Sequence, residues 1–204
     1  MTLEHIKHEE TELLHKVFAG DDGAFHLLYA RYNKKLTIFA AKMLCSRERA
    51  NDLAQEVWMR VIEQRKKPQE IEHVGAYLFR IARNLSLDAI RKDRGHTPLD
   101  DVAEEQHPSA ATSGERTELE EIVLLALDSL SPDDKELLVM HTYLGYGYDE
   151  IAEMQSKSPE AIWTRASRAR TKLRTIVQAE AARLNIEIIT DRKQTTIKRE
   201  RQTV

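Results

Sequence analysis

The chain has 204 residues, enough for one medium-sized domain or two small ones. Hydrophobic residues make up 41% and charged residues 32%, a balance typical of a water-soluble protein with a packed core. No apolar run approaches the roughly 20 residues that a membrane-spanning helix needs, and the polar N-terminus lacks the apolar centre of a signal peptide. We therefore expect a cytoplasmic protein without membrane insertion. The single cysteine, Cys45, excludes an internal disulfide and a thiolate metal cluster.

The charges are segregated along the chain, although the net charge of −3 does not by itself indicate nucleic acid. Acidic residues crowd the middle, from Asp100 to Glu121, and basic residues crowd the segment from Arg165 to Arg174. Local patches, more than the total charge, decide where phosphates can bind.

Apolar residues recur at helical spacing almost throughout, and no sustained alternating segment argues for a strand. After a polar leader, residues 1–17, helices are predicted at about 24–46, 47–64, 76–92, 117–129, 132–144, 148–155 and 159–178. Residues 96–116 are acidic and rich in proline, glycine and small polar residues, which predicts a flexible linker. The expected fold is therefore all-α, with two small helical domains, residues 18–95 and 117–180. A C-terminal tail, residues 181–204, is expected to lack ordered structure.

The segment DLAQEVWMRVIE, Asp52–Glu63, is amphipathic at helical spacing. Apolar side chains fill one half of this helix, and mostly polar side chains fill the other half. An ordinary solvated face is one interpretation of the polar half. Met59 lies in the middle of that half, where a partner could bury it. The outward residues are Asp52, Gln55, Glu56, Met59, Arg60 and Glu63.

The segment AYLFRIARNLSLDAIRK, Ala76–Lys92, combines an apolar stripe with a basic face flanked by aromatic rings. Cations interleaved with rings suit a nucleic-acid strand, because phosphates bind the charge and unstacked bases bind the rings. A solvated basic face with both rings in the core is the alternative. The face and its flanks hold Tyr77, Phe79, Arg80, Arg83, Asn84 and Arg91.

The segment Tyr148–Arg174 predicts two helices around a short turn at residues 156–158. A second helix with hydroxyls and arginines outward, after a short first helix, is the pattern of a helix-turn-helix recognition unit. Arginine can read guanine in the major groove, and hydroxyls can hold phosphates. A plain helical hairpin is the alternative. The outward residues are Trp163, Thr164, Ser167, Arg168, Arg170, Thr171 and Arg174.

In this order and spacing, these segments resemble the extracytoplasmic-function (ECF) group of sigma factors of bacterial RNA polymerase. The resemblance covers about residues 18–178, from GDDGAFHLLYARY to EIAEMQSKSPEAIWTRASRARTKLR. It implies a sigma domain 2-like bundle and a C-terminal helix-turn-helix domain. It also implies a non-enzymatic chain without cofactor that binds core RNA polymerase, through the β′ and β subunits, and directs it to promoter DNA. An anti-sigma factor is a further candidate partner.

The resemblance assigns residues to three surfaces. The surface for the β′ clamp helices matches Asp52, Gln55, Glu56, Met59 and Arg60. The surface for the −10 element matches Arg65, Lys66 and Lys67, in a loop that captures a flipped base, and Tyr77, Arg80, Arg83 and Asn84, on the helix that melts the element. The surface for the −35 element matches Trp163, Thr164, Arg165, Ser167 and Arg168. The chain departs from the family pattern at the helix-turn-helix turn, where Ser156 and Lys157 replace a usual glycine and aliphatic residue.

Two other functions compete with this interpretation. His5, His8 and His15 could suggest a metalloenzyme, but no carboxylate or thiol is convincingly placed with them, so we expect no metal site. A conventional helix-turn-helix transcriptional regulator would explain residues 148–174 but not the two earlier motifs. Transcription by core polymerase plus this chain would support a sigma factor, whereas DNA binding without polymerase would support the regulator.

Overall fold

The computed structural model describes residues 3–66, 71–95, 117–184, 186–191 and 194–199. The predicted linker, residues 96–116, and Lys67 lie outside the described residues. In the described part, the helices are α1 (Leu3–Phe18), α2 (Asp22–Leu44), α3 (Arg47–Glu63), α4 (Val74–Gly95), α5 (Glu118–Asp128), α6 (Pro132–Thr142), α7 (Tyr148–Met154) and α8 (Pro159–Arg183). A 3₁₀ turn (Gln64–Lys66) follows α3, and two strands, β1 (Ile186–Asp191) and β2 (Gln194–Arg199), follow α8. The expected all-α architecture of two helical domains is confirmed, with this short sheet as an addition.

The first domain is a bundle of α1 to α4, in which α2 is the central helix that packs against the other three. The prediction of a polar leader before residue 18 is wrong, because α1 is part of this bundle. Leu14, Val17 and Phe18 are buried in its core. Tyr32 of α2 donates a 2.7 Å hydrogen bond to the buried carboxylate of Glu10. Because α1 contains many polar residues, the sequence pattern did not predict these contacts.

Helix starts follow from capping side chains. Asp21 caps α2 and Ser46 caps α3, each by accepting a hydrogen bond from a backbone N–H in the first turn. In the second domain, Ser131 and Ser158 cap α6 and α8 ahead of prolines at the first helical position. These caps set where each surface helix begins and therefore which side chains face outward.

The second domain contains α5 to α8, with α7 and α8 forming the helix-turn-helix pair. The turn between them is a Schellman motif, in which Lys157 N–H donates to Ala152 O (2.9 Å) and Ser156 N–H donates to Glu153 O (3.1 Å). Ser156 adopts φ +53°, the left-handed conformation that favours glycine. The serine therefore keeps the turn of the motif at a cost in backbone strain.

The C-terminal tail is where the sequence interpretation fails most clearly. The sequence predicts a tail without order at residues 181–204, but within it β1 and β2 pair in antiparallel fashion, with Ile186 opposite Arg199 and Asp191 opposite Gln194. Ile186 is buried beside Ile122 of α5 and Ala181 of α8. The alternating β-branched residues of IEIITD are typical of a strand. The basic residues that follow them led instead to the prediction of a tail without ordered structure.

The two domains lie against each other through an interface between α1, α2 and α4 on one side and α5, α6 and α7 on the other. The ring of Tyr146 packs edge-on against Phe79, with 5.7 Å between ring centroids. Lys35 lies 4.8 Å from the centre of the Tyr146 ring, and Lys42 lies 4.3 Å from the centre of the Tyr143 ring. One apolar cluster thus continues from the first domain into the second.

Candidate polymerase and nucleic-acid interfaces

The outward face of α3 has the composition that the sequence predicted. Its inward side chains, including Trp58, are buried, while all five residues assigned to the polymerase surface are exposed. Met59 exposes 54% of its surface, which is unusual for a methionine on a folded helix. Arg60 donates a 3.1 Å hydrogen bond to Glu56 one turn earlier. The face therefore offers mixed charges around one apolar side chain.

The basic face of α4 is smaller than predicted. Arg80 and Asn84 are exposed, but Arg83 is turned into ion pairs with the second domain. Tyr77 is 7% exposed and Phe79 is 2% exposed, so neither ring is available to an unstacked base in this arrangement. Both rings lie in the core, which is the alternative that the sequence left open, because α4 packs against α1, α2 and α3. Burial raises the pKa of Tyr77 above its usual value.

Arg65, in the loop assigned to the −10 element, is half-buried. Its guanidinium lies 3.8 Å from Asp22, and its Nε is buried without a hydrogen-bond partner among the described residues. Lys66 ends the 3₁₀ turn. The structure therefore places the start of this loop beside the N-terminus of α2.

Four of the five residues that the resemblance assigns to the −35 surface are exposed on the outward face of α8. Thr164, Ser167 and Arg168 are exposed, and Trp163 exposes 61% of its surface. Arg165 is turned aside: it donates 2.9 Å hydrogen bonds to Asp133 and to Asp134 of α6. Arg165 thus holds α8 against α6 and does not share the outward face of Thr164, Ser167 and Arg168.

Carboxylates at the start of α6 bind these arginines, and no sequence pattern indicated this contact. Although burial opposes it, hydrogen bonds from Arg83 and Arg165 lower the pKa of Asp133 below its usual value. Burial raises the pKa of Glu136, against the opposing effect of the nearby Arg83 guanidinium. No spacing rule links residue 83 to residues 133 and 136, so these contacts could not be predicted.

A second group that the sequence did not reveal lies beside Trp163. The rings of His141 and Tyr148 stack with 4.1 Å between centroids, and Trp163 lies edge-on to Tyr148 at 6.5 Å. Arg170 lies 5.7 Å from the centre of the Tyr148 ring. The stack lies against one side of the exposed Trp163, near the N-terminus of α8.

Among the described residues, no group of three or more His, Cys, Asp or Glu side chains could hold a metal ion. Within the same part of the chain, no helix has the length and apolar content needed to cross a membrane.

Comparisons with known proteins agree with this arrangement. The family description "Sigma-70 region 2" matches residues 28–96, and "Sigma-70, region 4" matches residues 120–173. The chain is 31% identical to RNA polymerase sigma factor CarQ of Myxococcus xanthus over 78% of this chain and 91% of that protein. It is 30% identical to ECF RNA polymerase sigma factor EcfG of Rhodopseudomonas palustris over 72% of this chain and 81% of that protein.

Solved structures show the same fold. CnrH, solved in complex with the cytosolic domain of CnrY, has a TM-score of 0.59 at 21% identity and matches 83% of this chain and 97% of its own. The sigma factor RpoE of Bartonella quintana, solved with the anti-sigma factor NepR, has a TM-score of 0.54 at 24% identity, over 76% of this chain and 96% of its own. The chain therefore belongs to the ECF sigma factors of bacterial RNA polymerase, which bind the core enzyme and direct it to promoters.

Proposed function

We propose that this chain contacts core polymerase through the outward face of α3 and contacts its promoter through α4 and α8. The observation that carries the proposal is the exposure of Thr164, Ser167 and Arg168 on the second helix of an intact helix-turn-helix. A recognition helix that enters the major groove needs such side chains on its solvent side. Arg80 and Asn84 supply the exposed polar groups that would hold the −10 strand.

The domain assignment follows from these surfaces. Residues 18–95, together with the α1 helix that packs on them, would form the domain for core polymerase and the −10 element. Residues 117–180 would form the domain for the −35 element, and residues 96–116 would connect the two domains. The strands β1 and β2 lie in the remaining C-terminal segment, residues 181–204, beyond the end of the region 4 match at residue 173.

The partners of the chain would then be proteins and DNA. The chain would act by binding rather than by catalysis, and it would work in the cytoplasm, where the polymerase transcribes. Sigma factors of this fold have been solved with anti-sigma factors, as RpoE has with NepR. An anti-sigma factor that covers the outward face of α3 would compete with the polymerase for Met59 and its neighbours.

Run-off transcription tests the function directly. Purified core polymerase is given genomic fragments with and without this chain, and the transcript starts are mapped. New starts that share −10 and −35 sequences are expected only when the chain is present. DNA binding by the chain alone, without any effect on polymerase, would favour a conventional regulator instead.

A further inference from the structure

Helix α1 lies beside both ends of the segment that the family resemblance assigns to capture of a −10 base, residues 65–72. We call this segment the −10 loop; its described residues are 65, 66, 71 and 72. α1 lies outside the region 2 match, which begins at residue 28. It nevertheless contacts the 3₁₀ turn at the start of the −10 loop and also α4, which follows the loop. The position of α1 therefore bears on where the loop begins and ends.

At the end of the −10 loop, α1 forms a hydrogen bond to the backbone. The hydroxyl of Thr11 donates to the carbonyl oxygen of Glu72 at 3.1 Å, and it lies 3.0 Å from the carbonyl oxygen of Lys7 in its own helix. Lys7 is in the interior of α1, where its carbonyl also accepts the helical bond from a backbone N–H. Glu72 precedes the first residue of α4 and lies outside the helix. The Thr11 hydroxyl thus joins α1 to a backbone group without helical support.

Other threonines show which part of this contact is ordinary. Thr37, Thr171 and Thr175 each donate to the carbonyl oxygen four residues earlier, at 3.0 to 3.1 Å. This bond is common for a threonine in a helix and by itself indicates no function. Thr11 differs because it also reaches a residue 61 positions away in the chain. Thr37 is half-buried, as Thr11 is, and therefore provides a matched control.

A second contact fixes the backbone just after the −10 loop. The Tyr32 hydroxyl donates a 2.7 Å hydrogen bond to Glu10 of α1, and both side chains are buried. A Cβ atom at Gly75 would lie 3.3 Å from the Tyr32 hydroxyl oxygen, so the first turn of α4 packs directly on this group. Val74, at the start of the same turn, is 2% exposed. Glu10 therefore holds the tyrosine on which the start of α4 rests.

The start of the −10 loop is held at the other end of α1. The guanidinium of Arg65 lies 3.8 Å from the carboxylate of Asp22, in the first turn of α2. Asp22 follows the short turn that leaves α1, in which the backbone N–H of Asp21 donates 2.9 Å to the carbonyl of Lys16. Both ends of the loop are thus referred to one helix. Fixed ends reduce the number of arrangements that a loop must give up when it binds a ligand.

Resting on the proposed function, we propose that α1 supports the −10 loop and that Thr11 is a positioning residue for recognition of the −10 element. Thr11 acts through the backbone at Glu72 and does not touch DNA. A loop with a fixed backbone fits the correct base and fits a wrong base poorly, whereas a loosened loop can adapt to both. Loss of the Thr11 hydroxyl therefore lowers selectivity at the −10 element and leaves the −35 element unaffected.

Two promoter libraries test this selectivity with core polymerase and the full chain. One library randomises the −10 element beside a fixed −35 element, and the other library does the reverse. Thr11→Val replaces the hydroxyl by a methyl group of similar size, and the two residues have similar helix propensities. We expect this variant to prefer the cognate −10 sequence over singly substituted ones about two- to fivefold less than the wild type, since one neutral hydrogen bond is lost. Its preference among −35 sequences should be unchanged.

The controls separate positioning from a general loss of structure. Thr11→Ser keeps the hydroxyl and should restore the wild-type −10 preference. Thr37→Val removes a comparable hydroxyl from α2 and should leave the preference unchanged. Wild-type −10 preference in Thr11→Val would overturn the proposal. An equal loss at both promoter elements, or the same loss in Thr37→Val, would overturn it as well, because the effect would then be one of stability.

Hydrogen exchange on the free chain tests the contact without transcription. Thr11→Val should speed exchange about two- to fivefold in peptides that cover residues 61–76, whereas Thr11→Ser and Thr37→Val should not. Unchanged exchange in Thr11→Val would show that the hydroxyl does not hold the −10 loop, whatever the promoter libraries give. Failure of the wild type in run-off transcription would instead reject the proposed function and the −10 role that rests on it. The exchange result would still decide whether Thr11 holds the backbone at Glu72.

Discussion

Arg165 and Arg168 lie on the same helix but have different surroundings. Arg165 is held by Asp133 and Asp134, whereas Arg168 is exposed beside Thr164. Because a bidentate arginine–guanine contact is worth about 1–3 kcal/mol of discrimination, Arg168→Ala should reduce use of the cognate −35 sequence and relax preference at one base pair. A promoter library transcribed with each protein measures this effect. A loss that is uniform over all sequences would assign Arg168 to a phosphate.

Arg165→Ala is the matched comparison, and its expected effect is on folding. The substitution removes two charge-assisted hydrogen bonds and leaves Asp134 without its ion-pair partner, whereas Asp133 keeps Arg83, so the second domain should lose about 1–2 kcal/mol of unfolding free energy. Urea unfolding measures the loss. Arg168→Ala, as an exposed substitution, should change the unfolding free energy by less than about 0.5 kcal/mol.

A substitution at Ser156 is expected to stabilise the second domain, whereas Arg165→Ala is expected to destabilise it. Its φ of +53° is costly for any side chain, and glycine removes that cost. Ser156→Gly should therefore raise the unfolding free energy by about 0.5–1 kcal/mol, because the gain in the turn exceeds the added freedom of the unfolded chain. Ser156→Ala keeps a side chain in the same conformation and should give no such gain. A loss of stability in the glycine variant would show that the serine side chain stabilises the turn.

The pKa of Asp133 predicts how acid acts on the second domain. Hydrogen bonds from Arg83 and Arg165, which outweigh burial, place the folded-state pKa below the usual value of 3.8. Its stabilising contribution is therefore complete above pH 3.8 and is lost as the pH falls through the folded-state value. Asp133→Asn should cost about 1 kcal/mol at pH 7, allowing for solvent screening, and less at an acid pH below the usual value of 3.8, such as pH 3. Urea unfolding at both pH values, with Asp149→Asn as an exposed control, measures the difference.

At the scale of elements, α3 provides the sharpest test of polymerase binding. Asp52→Arg with Glu56→Arg reverses two charges on the exposed face, so binding to core polymerase should fall by about tenfold or more if that face is buried against the enzyme. Loss of the Glu56–Arg60 pair should cost folding only about 0.5 kcal/mol. The control variant, Glu12→Arg with Glu121→Arg, reverses two exposed charges outside α3 and should leave core binding unchanged. Normal core binding by the α3 variant would reject the assignment of this face.

The helices could be predicted from sequence because their signals are local. Caps such as Ser131 and Ser158, and the apolar period of α3, lie within one or two turns of the residues that they position. The burial of Tyr77 depends on packing between helices, and the pairing of Arg83 depends on residues 50 or more positions away. The sequence thus predicts which face a side chain occupies, but not which long-range partner covers it.

At the scale of the whole molecule, the interface between the domains must be weak enough to open. Some of its ion pairs, such as Lys7–Glu153, are exposed and are worth about 1 kcal/mol or less each. The linker raises the effective concentration of one domain near the other to about the millimolar range. A closed state of moderate population therefore depends on the covalent connection as well as on the contacts.

Cleavage of the predicted linker, residues 96–116, should allow the two domains to separate. Limited proteolysis should cut first within residues 96–116, because the described helices bury their backbone groups and this polar segment is expected to be accessible. At micromolar concentration and 0.5 M salt, the two fragments should separate on gel filtration, since the tether is lost and the ion pairs between them are screened. The uncut chain under the same conditions is the control for size. Fragments that stay together at nanomolar concentration in high salt would show a permanent interface, and such an interface could not open for a promoter.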